Sequence, residues 1–110
     1  LDYNEPAPTR TADKVIDGSS PFVYFVRSGS DGAIKIGWTS NTDRRLSELQ
    51  TGNPIPLTLL CLIRGGLATE RRIHQRFALH RITGEWFFPH GDILAFIDCA
   101  KTNGGADGLG

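Results

Sequence analysis

The 110-residue chain predicts a single α+β domain, in which a small antiparallel sheet of three strands is flanked by about three helices. Three observations predict it. Short runs of β-branched and aromatic residues alternate with turn residues, three longer segments have apolar residues at helical spacing, and no apolar run reaches the roughly 18 residues of a membrane span. An apolar fraction of 39% is typical of a globular protein.

The first two strands are predicted to form a β-hairpin. Residues 22–27 are aromatic and β-branched, residues 28–32 are turn-forming, and residues 33–38 are a second short run. Because hairpin strands pair side by side, we expect Tyr24 and Lys35 to lie close together.

The first helix is predicted to begin at one of the capping residues 39–42 and to end by Gly52. Arg45 would then lie near its amino-terminal end. Leu46 and Leu49, three positions apart, would face the core.

Beyond Gly52 the chain predicts a third strand, a second helix, a short aromatic run and a third helix. The strand is nearly all apolar, which predicts a fully buried, central or third position in the sheet. On the second helix, Glu70, His74 and Phe77 lie at helical spacing and share a face. In order, the segments are residues 57–63, 67–79, 85–88 and 92–100.

Both flanks are predicted to lie outside the folded domain. Residues 1–20 are rich in turn-forming residues and residues 103–110 are rich in glycine, so we expect two flexible segments around a domain of residues 21–102. The net charge is zero, but residues 21–91 hold nine Lys and Arg against five acids, a surplus of four. This surplus is compatible with a nucleic-acid partner, and it predicts modest affinity unless a second targeting domain or subunit helps.

Two cysteines, Cys61 and Cys99, lie in apolar runs, and no signal-peptide pattern opens the chain. We therefore expect two reduced, buried thiols in a cytoplasmic protein that has no membrane partner. A zinc site built from these cysteines with His74 and His80 is disfavoured, because none of the four has the paired spacing of zinc ligands.

An ordered set of polar residues stands out on this apolar frame. A phenol or an amine can help to deprotonate water, a guanidinium can hold a phosphate, and a carboxylate can bind a divalent metal ion. These groups suit the hydrolysis of a phosphodiester bond, and they occur in the order Tyr24, Lys35, Gly37, Arg45 and Glu70.

The ordered set, with its spacings, resembles the GIY-YIG endonuclease superfamily, in the compact branch found in phage and bacterial proteins. The resemblance covers residues 21–90 and implies a metal-dependent DNA endonuclease. It implies catalytic roles for Tyr24, Lys35 and Arg45, and it makes Glu70 the ligand of a single, weakly held Mg²⁺ or Mn²⁺. The matching segments are Phe22-Val23-Tyr24, Lys35-Ile36-Gly37, Arg45-Leu46, Glu70-x-x-x-His74-x-x-Phe77 and Gly84-Glu85-Trp86-Phe87.

Two positions depart from the family pattern. Lys35 stands where the family usually has Tyr, which leaves open whether Tyr24, Lys35 or hydroxide on the metal ion is the base. Four residues after Arg45, relatives often have His or Tyr, whereas Leu49 cannot take part in chemistry. His74 is the candidate to replace it as a catalytic residue.

Other residues are interpreted as supporting the site. Gly37 and Trp86 are expected to be structural, and Glu85 is expected to be held by a nearby arginine and to close the core. Arginines expected to contact DNA are Arg44, Arg71 and Arg72.

Three functions are compatible with the chain. The first is a DNA endonuclease, and the second is a nucleic-acid-binding module of the same fold that has lost activity, for which Lys35 and Leu49 are the evidence. A small-molecule or purely structural protein is the third. Retention of Tyr24, Arg45 and Glu70 favours the endonuclease.

Overall fold

The computed structural model describes residues 21–102 of the chain. The hairpin, the third strand and the three helices are confirmed within a few residues of their predicted bounds. The predicted flexible segments, residues 1–20 and 103–110, lie outside the described residues. In chain order the elements are β1 (Phe22–Ser28), β2 (Ile34–Thr39), α1 (Thr42–Thr51), β3 (Leu57–Arg64), α2 (Leu67–Arg76), a 3₁₀ turn (Ala78–His80), β4 (Arg81–Thr83), β5 (Trp86–Phe87) and α3 (Gly91–Thr102).

The predicted count of three strands is wrong, because residues 21–102 alone form a sheet of five strands in the order β3-β1-β2-β5-β4. Every neighbouring pair is antiparallel. The prediction omitted β4 and β5, which have three and two residues. Runs this short have no detectable period. They form strands because β5 pairs with the open edge of β2, where Lys35 lies opposite Trp86.

One face of the sheet carries the hydrophobic core. Successive side chains of a strand point to opposite faces, and Val23 and Phe25 of β1 point towards α2 and α3. The ring of Phe96 in α3 lies 5.8 Å from that of Phe25 and 5.4 Å from that of Phe77. Tyr24, between the two core residues of β1, is buried without joining this cluster. One face of β1 therefore packs in the hydrophobic core, and the other face carries the buried Tyr24.

Two expectations about burial are wrong. In the sheet formed by the described residues, β3 is an edge strand, and within it the buried residues are Cys61 and Ile63, while Leu59 is 40% exposed. A continuous apolar run does not reveal that one of its faces is left uncovered. Cys99 is exposed on α3, whereas Cys61 lies in the core, where burial raises the pKa of its thiol to about 12.

Within the described part of the chain, none of the helices combines the length and the apolar character needed to traverse a bilayer.

Adjacent phenylalanines test the assignment of β5. Phe87 is fully buried and Phe88 is 58% exposed. We expect Phe87→Ala to lower the free energy of unfolding by about 3–5 kcal/mol, because it leaves a cavity in the core. Phe88→Ala should change it by no more than about 0.5 kcal/mol. Urea unfolding followed by circular dichroism measures both, and equal losses would contradict the orientation of β5.

Candidate active site

Pairing of β1 with β2 places Tyr24 opposite Gly37. Tyr24 is 1% exposed. A Cβ atom on residue 37 would lie 2.6 Å from Cζ of Tyr24 and 3.0 Å from Oε1 of Glu85, and it would clash with the Tyr24 hydroxyl group. Gly37 therefore leaves the space in which the phenol and the carboxylate approach the same point of β2.

Arg45 reaches this point from α1. The helix is capped by Asn41, whose Oδ1 accepts a hydrogen bond from the backbone N–H of Arg44 at 3.1 Å. In the first turn, Nε of Arg45 donates to the hydroxyl oxygen of Tyr24 at 3.4 Å, and its Nη1 lies 3.4 Å from Oε1 of Glu48. The hydrogen bond and charge interaction with Tyr24 raise the pKa of Arg45. The structure thus brings Tyr24 and Arg45 together.

Lys35 lies on β2 two positions before Gly37, with its side chain 13% exposed. Its Nζ lies 3.1 Å from Oε1 of Glu85 and 5.4 Å from the centre of the Trp86 ring, which is half-buried beside it. The partner of Glu85 is therefore a lysine, where the sequence indicated an arginine.

Glu85 is the site residue that sequence reasoning missed. It lies with Gly84 in the two-residue turn between β4 and β5, and Gly84 has the positive φ of 54° that such a turn favours. The backbone oxygen of Glu85 accepts a hydrogen bond from the N–H of Ile36 at 2.9 Å. A Gly-Glu turn between two short runs was the available signal, and its meaning depends on the pairing of β5 with β2.

Glu70 enters the site from α2 and is 6% exposed. Its pKa is raised to about 7, first by burial and then by the charge of Glu85 and a hydrogen bond to that carboxyl group. The positive charges of Arg71 and Lys35 act in the opposite direction. Oε2 of Glu70 has no hydrogen-bond partner among residues 21–102.

This unpartnered oxygen fits a divalent metal ion. A buried acceptor without a donor or a cation costs folding free energy, so it needs a reason to be retained. Mg²⁺ is commonly bound through one or two carboxylates, with water and substrate phosphate completing its shell. Glu70 could supply such a ligand, and Glu85 lies beside it.

His74, the candidate catalytic histidine, forms two hydrogen bonds through its ring. Its Nε2 lies 2.8 Å from the backbone oxygen of Ile36, and its Nδ1 lies 3.1 Å from Nη2 of Arg81. A carbonyl only accepts and a guanidinium only donates, so Nε2 carries the proton and Nδ1 is the acceptor. Both ring nitrogens are occupied, and the ring joins α2 to β2 and β4.

The three arginines expected to contact DNA differ in their contacts with the site residues. Arg44 is exposed, and its Nε lies 3.6 Å from Oε2 of Glu48. Arg71 and Arg72 are exposed on α2, and the charge of Arg71 reaches Glu70. Leu49 on α1 is half-buried. Arg71 is thus the one of the three arginines that acts directly on the buried carboxyl group.

A separate group of metal-binding residue types lies at the base of the β4–β5 hairpin. Of residues 21–102, His80, His90 and Asp92 form the group with closely placed ligand atoms. The two imidazole rings stack almost parallel, with 3.9 Å between their centres. Lone pairs of ring nitrogens lie in the ring planes, so one ion cannot lie in both planes. In this arrangement the rings of His80 and His90 stack on each other, and both contact the carboxylate of Asp92.

One comparison with known proteins found a matching family. The family model that matches is the T5orf172 domain, over residues 21–101. Comparisons with curated proteins and with solved structures found no match. The matching domain is a phage-associated one among the endonuclease-type families, which makes the chain a nuclease-like or DNA-binding module. Since the match spans most of its length, the chain belongs to the T5orf172 domain family.

Proposed function

We propose that the domain is a divalent-metal-dependent endonuclease that hydrolyses phosphodiester bonds of DNA. The observation that carries the proposal is the buried Glu70 carboxyl group, whose Oε2 has no partner among the described residues. Lys35 lies near it, and the Tyr24–Arg45 pair reaches the same stretch of β2 at Gly37. A buried, unpaired acceptor lowers the stability of the fold, so its place near Lys35, Tyr24 and Arg45 indicates a site for a charged ligand.

Each side chain has a role that its contacts allow. Arg45 is 41% exposed and keeps donors free for a phosphate oxygen, while its Nε holds Tyr24. Tyr24 and Lys35 carry the polar atoms that would orient the attacking water or accept its proton. A divalent ion bound at Glu70 would supply Lewis-acid polarisation of the phosphate.

We also expect the domain alone to bind DNA weakly. Its surplus of four positive charges over residues 21–91 supports modest, salt-sensitive affinity for DNA, with a second domain or subunit as the source of targeting.

A DNA-binding module without activity is the second candidate. It is favoured by one observation: Leu49 and the fully engaged His74 leave no histidine beside Arg45 to assist the reaction. DNA binding without cleavage in Mg²⁺ or Mn²⁺ would favour this candidate.

Glu70→Gln tests the proposed metal ligand. Loss of one preorganised electrostatic group typically lowers turnover by about 10²-fold or more. We expect this variant to lose cleavage of supercoiled plasmid in Mg²⁺ or Mn²⁺ while its DNA affinity and circular dichroism spectrum stay unchanged. Cleavage at the wild-type rate by the folded variant would remove Glu70 from the metal site.

Neighbouring arginines on α1 form a matched pair. Arg45 contacts Tyr24, whereas Arg44 is exposed and contacts Glu48. We expect Arg45→Ala to lower kcat by about 10²-fold, because the negative charge that develops on the phosphate in the transition state loses a hydrogen-bond donor. Arg44→Ala removes the same charge and should act on KM alone. Single-turnover kinetics separate the two effects, and an equal fall of kcat in both variants would contradict the role of Arg45.

The raised pKa of Glu70 makes stability depend on pH. The folded state keeps the Glu70 proton up to a pKa of about 7, whereas the ordinary value is 4.5. Between these values the unfolded chain binds fewer protons, so this carboxyl group makes the fold less stable as pH rises.

Glu70→Gln removes this titration. We therefore expect the melting temperature of the variant, relative to the wild type, to increase from about pH 4.5 to about pH 7 and then to level off. Thermal unfolding without divalent ions measures the difference. A constant difference across this range would show that Glu70 is not buried as a neutral acid.

A further inference from the structure

Two carboxyl groups from distant parts of the sequence are joined by a hydrogen bond beside Lys35. Glu70 comes from α2 and Glu85 from the turn between β4 and β5. Glu70 is 6% exposed and, among residues 21–102, its Oε2 has no hydrogen-bond partner. The Glu85 side chain is 39% exposed, so the pair is open to solvent on one side. An ion could therefore enter without a rearrangement of the core.

The charges around the pair do not balance when both carboxyl groups are ionised. Lys35 supplies one positive charge at 3.1 Å from Oε1 of Glu85, against two negative charges. Arg71 acts on Glu70 as well, but its side chain lies on the exposed surface of α2, where water screens it. A divalent ion would more than offset the single remaining negative charge, and it would give Oε2 of Glu70 a partner.

Glu85 is also held in place firmly enough to be a ligand. Its backbone oxygen is hydrogen-bonded to Ile36, and it follows Gly84 in a two-residue turn. Its Oε1 lies 3.0 Å from the position that a Cβ of residue 37 would take, so Gly37 admits this carboxylate together with Tyr24. A ligand needs such fixed support from its surroundings.

We propose that Glu85 is a second carboxylate ligand of the divalent ion, and that Lys35 holds it in position when no ion is bound. The inference rests on the proposed function, in which Glu70 is the metal ligand, and it extends that site to a second element. In this arrangement the turn of the β4–β5 hairpin supplies a metal ligand beside β2.

Titration of Mn²⁺ into the DNA-free protein, followed by calorimetry or by the EPR signal of free Mn²⁺, tests the inference independently of cleavage. We expect saturable but weak binding, with a dissociation constant on the order of 10⁻⁴–10⁻³ M, the range of the weakest protein Ca²⁺ sites. Glu70→Gln and Glu85→Gln should each weaken it by about tenfold or more. Asp98→Asn, the same charge change on the exposed face of α3, should leave it unchanged.

Loss of Glu85 also leaves the ammonium of Lys35 unpaired, and this charge alone could repel the ion. Lys35→Met removes the repulsion. In a Lys35→Met background, a ligand role predicts that Glu85→Gln still weakens Mn²⁺ binding by about tenfold. If Glu85 only neutralised Lys35, the double variant would bind as well as Lys35→Met, and the inference would be overturned.

Two further outcomes would also overturn it. They are the absence of saturable Mn²⁺ binding by the wild type, and wild-type affinity in Glu85→Gln when Glu70→Gln binds weakly. Neither removes the proposed function, because a single carboxylate with substrate phosphate would still support cleavage. Conversely, two-carboxylate binding without DNA cleavage would keep the inference and remove the endonuclease.

Discussion

The close approach of Tyr24 to Gly37 is the constraint on which the rest of the site depends. Side chains of paired strands normally stand side by side, but here the phenol crosses the neighbouring strand at a residue that has no side chain. The space left by Gly37 also admits the carboxylate of Glu85. Arg45 then meets Tyr24 from α1, and Lys35 meets Glu85 along β2. The missing Cβ atom of Gly37 thus leaves room for Tyr24 and Glu85, and these two residues contact Arg45 of α1 and Lys35 of β2.

The two faces of β1 explain how the domain holds such a site without losing its core. Val23 and Phe25 point into the apolar cluster against α2 and α3, and Tyr24 between them points to the polar side. The packing that stabilises the fold is therefore separate from the contacts that build the site. His74 belongs to the first group, because its ring ties α2 to the sheet.

Glu70 is the exception to this separation. It is buried within the helix that covers the core, and its burial costs free energy that apolar contacts elsewhere must offset. A residue that lowers stability in this way is expected where ligand binding requires it. Its neighbours Glu85 and Lys35 place one more negative and one positive charge at the same point, so the local charge balance is set by three elements together.

Local order in the chain was enough to determine β1, β2, α1, β3, α2 and α3, because each has a period or a cap within its own residues. The order of Tyr24, Lys35, Arg45 and Glu70, with its resemblance to a nuclease superfamily, selected these residues as candidates for one site. Sequence alone could not determine the strands β4 and β5, whose five residues pair only because β2 offers an open edge. Three further features depend on contacts between residues that are distant in sequence, so only the tertiary structure could show them. Glu85 lies beside Lys35, both ring nitrogens of His74 are hydrogen-bonded, and β3 lies at the edge of the described sheet.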